Sequence, residues 1–190
     1  MRNKILSAMV AAVMMMYGAS AFAVADTSVK GGSGTITFTG TVQNGACDIQ
    51  NPDLTVNFNQ VSAHSIKKDS TSHPQHFSIQ LSDCVLTGIT TNKISKVSVV
   101  FKDNNHSGTN KDIITTTGDN THVGIKIKND ASDAFLDVMN AVDATDTDNN
   151  IPMYGTSQSL NFTAYLVQDG DTPVAPGTFS AAATYTLTYS

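Results

Sequence analysis

The sequence predicts an all-β fold, a β-sandwich whose strands follow one another with Greek-key connections. Seven stretches alternate apolar and polar residues with the two-residue period of a half-buried strand. Turn-forming residues such as Asn104-Asn105, Gly118-Asp119 and Asp169-Gly170-Asp171 lie between these stretches. Thr, Asn, Ser, Asp and Gly fill much of the chain between apolar residues, a usage that disfavours long helices.

The predicted strands cover Thr35 to Val42, Leu54 to Phe58, His76 to Ser82, Lys96 to Lys102, His122 to Lys128, Leu160 to Val167 and Phe179 to Tyr189. The last of them alternates up to the end of the sequence, which predicts a core strand with an open edge, and such an edge is a template for another chain. One stretch is ambiguous. Ala131 to Val142 fits a helix with Phe135, Val138, Met139 and Val142 on one face, and it fits equally a short strand around Phe135 to Val138.

The first residues are typical of a secretory signal. Arg2 and Lys4 form a short basic region, an apolar run follows, and Ala21-Phe22-Ala23 supplies the small residues that a signal peptidase reads. The run is shorter than the ~20 residues that span a bilayer. We therefore predict a signal peptide over residues 1–23, and cleavage after Ala25 remains an alternative to cleavage after Ala23.

The charge of the remaining chain is acidic. The predicted signal contains two of the 11 basic residues, so nine lysines face 16 acids and the balance is 9 − 16 = −7. This charge argues against nucleic acid and anionic membranes as partners.

No catalytic motif, cofactor motif or metal site is predicted. No Ser-His-Asp order or phosphate-binding loop is visible. His73 and His76 flank Pro74, which prevents the helix that would align them. A calcium loop beginning at Asp146 would need glycine at its sixth position and glutamate at its twelfth, where the chain has Ile151 and Ser157.

The chain contains two cysteines, Cys47 and Cys84. In an exported protein a disulfide between them is expected, and two cysteines allow one connectivity.

Three separated motifs resemble those of chaperone-usher pilus subunits, and of type 1 fimbrial major subunits in particular. Gly34 to Cys47 resembles their N-terminal extension and first cysteine, and Phe77 to Cys84 resembles the strand that carries their second cysteine. Gly177, fourteen residues from the end, and the penultimate Tyr189 match the C-terminal motif. Residues 85–155 carry no such motif.

The resemblance implies an incomplete immunoglobulin-like β-sandwich that lacks its last strand and is completed by a donor strand from a neighbouring subunit. The implied organisation is a signal peptide at 1–23, an N-terminal extension at 24–43 and a pilin domain at 44–190. The donor side chains would be Ile36, Phe38, Gly40 and Val42, with Phe38 in the largest pocket and Gly40 where the groove is shallow. From alternation alone, this segment also fits an ordinary first strand of its own domain.

The resemblance also assigns the C-terminal strand to the acceptor groove and to chaperone binding. The residues concerned are Gly177, Phe179, Ala181, Ala183, Tyr185, Leu187, Tyr189 and Ser190. Ala181 and Ala183 are poor at filling space alone, so they suit a place where an incoming strand supplies the bulk. The carboxylate of Ser190 is expected to be available to basic residues of a chaperone.

The implied function is that of a structural subunit of a surface fimbria that supports cell adhesion. It would polymerise by donor-strand exchange after a periplasmic chaperone delivers it to an outer-membrane usher. Its partners would be identical or related subunits, the chaperone and the usher, and a host-surface receptor reached through the assembled fibre is left open. Two alternatives remain: a minor adaptor or tip subunit, and a monomeric secreted sugar-binding β-sandwich or enzyme.

Overall fold

The computed structural model describes residues 35–42, 44–87, 93–104, 109–119, 122–140 and 147–190. Val42–Ser190 form one compact unit, and the residues up to Thr41 fall into a separate one. Regular structure in the described residues is almost entirely β, with a single short 3-10 helix at Ala63–Ser65. None of the helices found there is long and apolar enough to cross a membrane.

The strands occur at regular intervals along the chain. They are β1 (Asp48–Ile49), β2 (Ser72–Ser82), β3 (Lys96–Asp103), β4 (Ile114–Thr115), β5 (Thr117–Gly118), β6 (Val123–Asn129), β7 (Ala134–Phe135), β8 (Asn150–Pro152), β9 (Gln158–Gln168), β10 (Phe179–Ser180) and β11 (Ala183–Tyr189).

The larger sheet has the strand order β1-β2-β9-β6-β4, and β7 pairs with β6 beside this path. All of its pairs are antiparallel. The register of β2 against β9 shifts between Ser72 and Gln75. Pro74, which has no N–H to donate, lies at this shift, and His73 adopts a positive φ of 53° there.

The smaller sheet has the order β11-β3-β8, also antiparallel. A separate two-stranded ladder joins β10 to β5. Because β3 lies in the middle of the smaller sheet, its alternate residues Val97, Val99 and Phe101 are buried. β11 lies at the edge, paired with β3 along its whole length.

The main core lies between the two sheets. Ile79, Leu160 and Phe162 of the larger sheet and Val97 and Val99 of the smaller one are completely buried. A second cluster, around Phe58, Ile66, Val123 and Leu166, takes in Phe179 at its margin. The predicted all-β fold is confirmed, and the sheet arrangement is that of an immunoglobulin-like sandwich.

The predicted disulfide is present. Cys47 and Cys84 are bonded across 37 positions of sequence. The bond connects the residues just before β1 to those just after β2, where β1 and β2 pair with each other. The disulfide thus reinforces an edge of the larger sheet.

Four of the predicted strands occur in the structure: β2, β3 and β9 with somewhat wider bounds, and β6 shifted by one residue. The prediction of a paired strand at Leu54 to Phe58 is wrong. Leu54, Val56 and Phe58 do turn inward and Thr55 and Asn57 outward, but the segment takes part in no ladder. Alternation records which side chains are buried, and it does not supply a partner for the backbone.

One further prediction is corrected. The strand expected from Phe179 to Tyr189 is interrupted at residues 181–182, where the chain passes from its pairing with β5 to its pairing with β3. Of the two alternatives for Ala131 to Val142, the helix is absent from the described part, and a short strand is present there as β7, paired with β6 and ending at Phe135. Val142 lies outside the described residues. Residues 35–42 form no strand within this chain.

Candidate functional site

An apolar groove of about 290 Å³ opens in the unit formed by Val42–Ser190. Its two walls and its floor come from different parts of the chain. The first wall consists of Pro52, Asp53, Leu54, Val56 and Phe58, the second wall of Ala181, Ala183 and Tyr185, and the floor of Phe77, Phe101, Ile114, Ile125, Ile127 and Ala164.

The first wall is an extended segment whose apolar side chains face the groove. Leu54 and Val56 are half-buried and Phe58 is buried, whereas Thr55 and Asn57 are exposed. The segment has the side-chain pattern of a strand, but it pairs with no strand among the described residues. Such an edge is a template for an added strand.

The second wall belongs to the C-terminal part of the chain. Ala181 and Ala183 are exposed there, and Tyr185 is half-buried. β11 pairs with β3 along one edge, and its other edge has no ladder partner among the described residues. On each side the groove is thus bordered by a backbone edge that has no ladder partner among the described residues.

The floor is built from the interior faces of the two sheets. Phe101 is buried, and its ring makes edge-on contacts with Phe77 and Phe162 at centroid distances of 6.0 and 5.0 Å. Phe77 and Ile125 point inward but are only half-buried. These side chains are partly uncovered because the groove lies above them, and covering them would gain roughly 25 cal/mol for each Å² of apolar surface.

Tyr185 reaches across the groove. Its hydroxyl donates a hydrogen bond to the carbonyl oxygen of Pro52 on the first wall, at 3.1 Å. Its ring lies 6.2 Å from that of Phe101 on the floor. Burial, followed by the nearby carboxylate of Asp53, raises the pKa of Tyr185 above its ordinary value. The phenol is therefore protonated at neutral pH and can donate this bond.

Residues 35–42 expose large apolar side chains to solvent, whereas the groove is a concave surface lined by apolar side chains. Ile36 is 77% exposed, Phe38 87% and Val42 100%. No atom lies within 4 Å of the position that a Cβ would take on Gly40. Large apolar side chains are rarely left this exposed in series, and such a series marks a surface for interaction.

The family model described as fimbrial protein matches residues 36–190 of the chain. The chain belongs to the fimbrial protein family. It is 31% identical over 205 residues to the F7-2 fimbrial protein of Escherichia coli, covering 100% of both chains. It is 30% identical over 188 residues to the Fimbria A protein of Serratia marcescens, covering 97% of this chain and 98% of the relative.

The fold of this fimbrial protein also matches a solved structure of a chaperone-usher pilus. The TM-score is 0.66 at 22% identity, over 86% of this chain and 99% of the other. At this identity the match concerns the fold, and it agrees with the immunoglobulin-like sandwich described above.

Six of the eight predicted groove residues of the fimbrial protein lie in three places. Ala181, Ala183 and Tyr185 line the groove. Leu187 and Tyr189, farther along β11, are half-buried against the main core, and burial raises the pKa of Tyr189. Phe179 packs beside Phe58 in the second cluster, at a centroid distance of 6.2 Å.

The two ends of the predicted C-terminal motif lie apart from the groove lining. Gly177 and Ser190 are both exposed. A carboxylate oxygen of Ser190 accepts hydrogen bonds from the backbone N–H groups of Ser95 and Lys96, at 2.8 and 3.0 Å. These bonds hold Ser190, the residue after β11, against the start of β3.

The predicted site contained no residue of the first wall or of the floor. The first wall carried a usable signal, because Leu54, Val56 and Phe58 alternate as a strand does. The floor residues carried no such signal. In the sequence, an apolar residue that faces the core has the same pattern whether or not another strand covers it in the fold.

The other polar candidates lie elsewhere. The ring nitrogens of His73 bond to Ser65 and Ser72, and Nδ1 of His76 bonds to the hydroxyl of Thr163. In the parts of the chain that are described, His, Cys, Asp and Glu form no group of three or more that could hold a metal ion.

Proposed function

We propose that this fimbrial protein is a structural subunit of a surface pilus that polymerises by donor-strand exchange. In each contact, residues 35–42 of one copy would enter the groove of the next and form the missing strand. The fimbrial family and the fimbrial relatives support the assignment to a pilus subunit.

The observation that carries the proposal is the complementarity between the groove and residues 35–42. The groove has partly uncovered apolar side chains on its floor and, on each side, a backbone edge without a ladder partner among the described residues. Residues 35–42 offer alternate apolar side chains that have no cover. A strand added to the groove would gain backbone hydrogen bonds from its walls and burial of its side chains on the floor.

The lengths agree. A strand rises about 3.3 Å per residue, so Ile36 to Val42 spans roughly 20 Å. β11 has seven residues, Ala183–Tyr189, and thus the same extent. Within the donor segment Phe38 is the largest side chain. Gly40 has no side chain, which allows the two backbones to approach closely where the groove is shallow.

The proposed organisation follows from this mechanism. Residues 1–23 are removed as a signal peptide, 24–43 form the donor extension and 44–190 form the pilin domain. The subunit crosses the periplasm with a chaperone that protects the groove, and an outer-membrane usher exchanges the chaperone for the next subunit. The assembled fibre supports adhesion at the cell surface, and the protein acts by binding without catalysing a reaction.

The proposal is tested with the variant Phe38→Asp of the full chain, expressed together with its chaperone and usher. A carboxylate at the position that enters the largest pocket would be buried without a partner, which costs several kcal/mol. We expect no long fibres by electron microscopy. The matched control is Thr37→Asp, whose side chain lies on the opposite face of the donor strand, and we expect it to assemble.

Normal fibres from Phe38→Asp would contradict the proposal. Loss of fibres from both variants, with both proteins still exported, would show that added charge alone blocks assembly. It would remove the support for a groove that recognises one face of the donor strand.

A further inference from the structure

The hydrogen bond between Tyr185 and Pro52 joins the two walls of the groove. Tyr185 lies on β11, and Pro52 lies 133 residues earlier on the first wall. The two walls share no backbone ladder among the described residues. The phenol of Tyr185 therefore closes one part of the groove with a side-chain contact where an added strand would otherwise lie.

The position of this bond conflicts with an added strand. A strand paired with the free edge of β11 lies about 4.8 Å from it, between β11 and the first wall. The ring of Tyr185 crosses this interval, since its hydroxyl is bonded to the far side. Side chains of the donor that point to the floor need the same space above Phe101 that the ring of Tyr185 occupies.

An added strand would also need the hydrogen-bond acceptor that Tyr185 uses, the carbonyl oxygen of Pro52. Proline has no backbone N–H, so the carbonyl oxygen is the one backbone group that Pro52 can offer to a neighbouring strand. In the free chain this oxygen accepts the hydroxyl of Tyr185. A donor strand that pairs with the first wall at this point has to compete for it.

We propose that Tyr185 is a gate on the groove, which must release the carbonyl oxygen of Pro52 before a donor strand is seated. This inference rests on the proposed function and concerns the rate at which the groove accepts a strand. The gate stabilises the free chain and is open in the complex. The bond is a neutral hydrogen bond at the partly exposed mouth of a groove, so it delays entry without preventing it.

The test compares Tyr185→Phe with the unchanged chain. Phenylalanine keeps the ring and removes the hydroxyl. Exported full-length monomer is mixed with a fluorescent peptide of residues 35–44, and association and dissociation are followed by fluorescence anisotropy. We expect association to be about two to ten times faster in the variant, the equivalent of one neutral hydrogen bond. Dissociation should be unchanged, because the bond is already broken in the complex.

The matched control is Tyr165→Phe. Tyr165 is half-buried as Tyr185 is, lies on β9, contacts the ring of Phe135 and does not line the groove. We expect its association rate to equal that of the unchanged chain.

The outcomes separate the gate from the proposed function. Equal association rates for the unchanged chain and Tyr185→Phe would overturn the gate, and donor-strand binding would stand. A slower association of Tyr185→Phe, or a similar acceleration in Tyr165→Phe, would also overturn it. Failure of the peptide to bind any of the three chains would overturn the proposed function, and the gate with it. Urea unfolding of each chain checks that the variants are folded.

Discussion

Single residues of this fimbrial protein shape one end of the groove through the pairing of β5 with β10. Gly118 of β5 lies opposite Phe179 of β10, and Phe179 packs on Phe58 of the first wall. Gly118 has a φ of +119°, and a Cβ built there would lie 2.5 Å from the carbonyl oxygen of Thr178. Glycine is required at this position for conformation and for space together.

The first residue-scale prediction follows from this geometry. Gly118→Ala should lower the free energy of unfolding by about 1–3 kcal/mol or more, because it adds backbone strain and a contact with a backbone atom that cannot rotate away. Gly155→Ala is the matched control, since Gly155 also has a positive φ, of +76°, but no atom within 4 Å of the added carbon. Urea unfolding of both variants measures the difference, and equal losses would contradict the role given to Thr178.

At the scale of elements, the disulfide and the short β1 hold the start of the first wall. Cys47 is bonded to Cys84, and the backbone N–H of Val85 donates to the carbonyl oxygen of Ala46 at 2.8 Å. The first wall begins a few residues after β1 and has no ladder of its own. Its position therefore depends on this anchor and on the packing of its apolar side chains.

Removing the anchor should destabilise the domain. A disulfide across 37 positions of sequence is worth about 4 kcal/mol on the chain-entropy model, before any strain is subtracted. We expect the double variant Cys47→Ala with Cys84→Ala to unfold at a clearly lower urea concentration. Reductant should lower the midpoint of the unchanged chain and leave that of the double variant where it is. Equal midpoints for the two oxidised chains would contradict this expectation.

The elements show how far the sequence can be interpreted. Long alternating segments such as those of β2, β3, β6 and β9 were predicted from their period, because each contains alternate apolar residues that pack in the core. The short β1, β4, β5 and β8, of two or three residues each, were not predicted. A strand of that length is defined by its partner, and two or three residues carry no detectable period.

At the scale of the whole molecule, the sandwich of Val42–Ser190 has a core with one uncovered region. Phe77 and Ile125 on the floor and Leu54 and Val56 on the first wall are only partly covered, whereas Ile79, Leu160 and Phe162 are completely buried. If the added strand completes the core, its binding also raises the free energy of unfolding of the domain.

The whole-molecule prediction is that a donor peptide stabilises the chain. The unfolding midpoint should rise with the concentration of a peptide of residues 35–44, by the equivalent of about 2.7 kcal/mol at one hundred times the dissociation constant. The control is the same peptide with Phe38→Asp, which should leave the midpoint unchanged. A monomer of ordinary stability that responds to neither peptide would favour the monomeric β-sandwich over the pilus subunit.

The sequence by itself determined the fold class, the disulfide and the inward faces of the long strands. These features depend on local periods, on residue type and on a cysteine count that allows one pairing. It also identified both partners of the proposed contact by resemblance, in residues 36–42 and in the C-terminal strand.

Only the tertiary structure decided that the C-terminal segment changes partner at residues 181–182, that Leu54 to Phe58 forms a wall without a ladder, and that Tyr185 is bonded across the groove to Pro52. The physical reason is the same in each case. Alternation is a property of residues that are neighbours in the chain. An open sheet edge, or a hydrogen bond between residues 133 positions apart, depends on which distant segments the fold brings together and on where it leaves a groove between them.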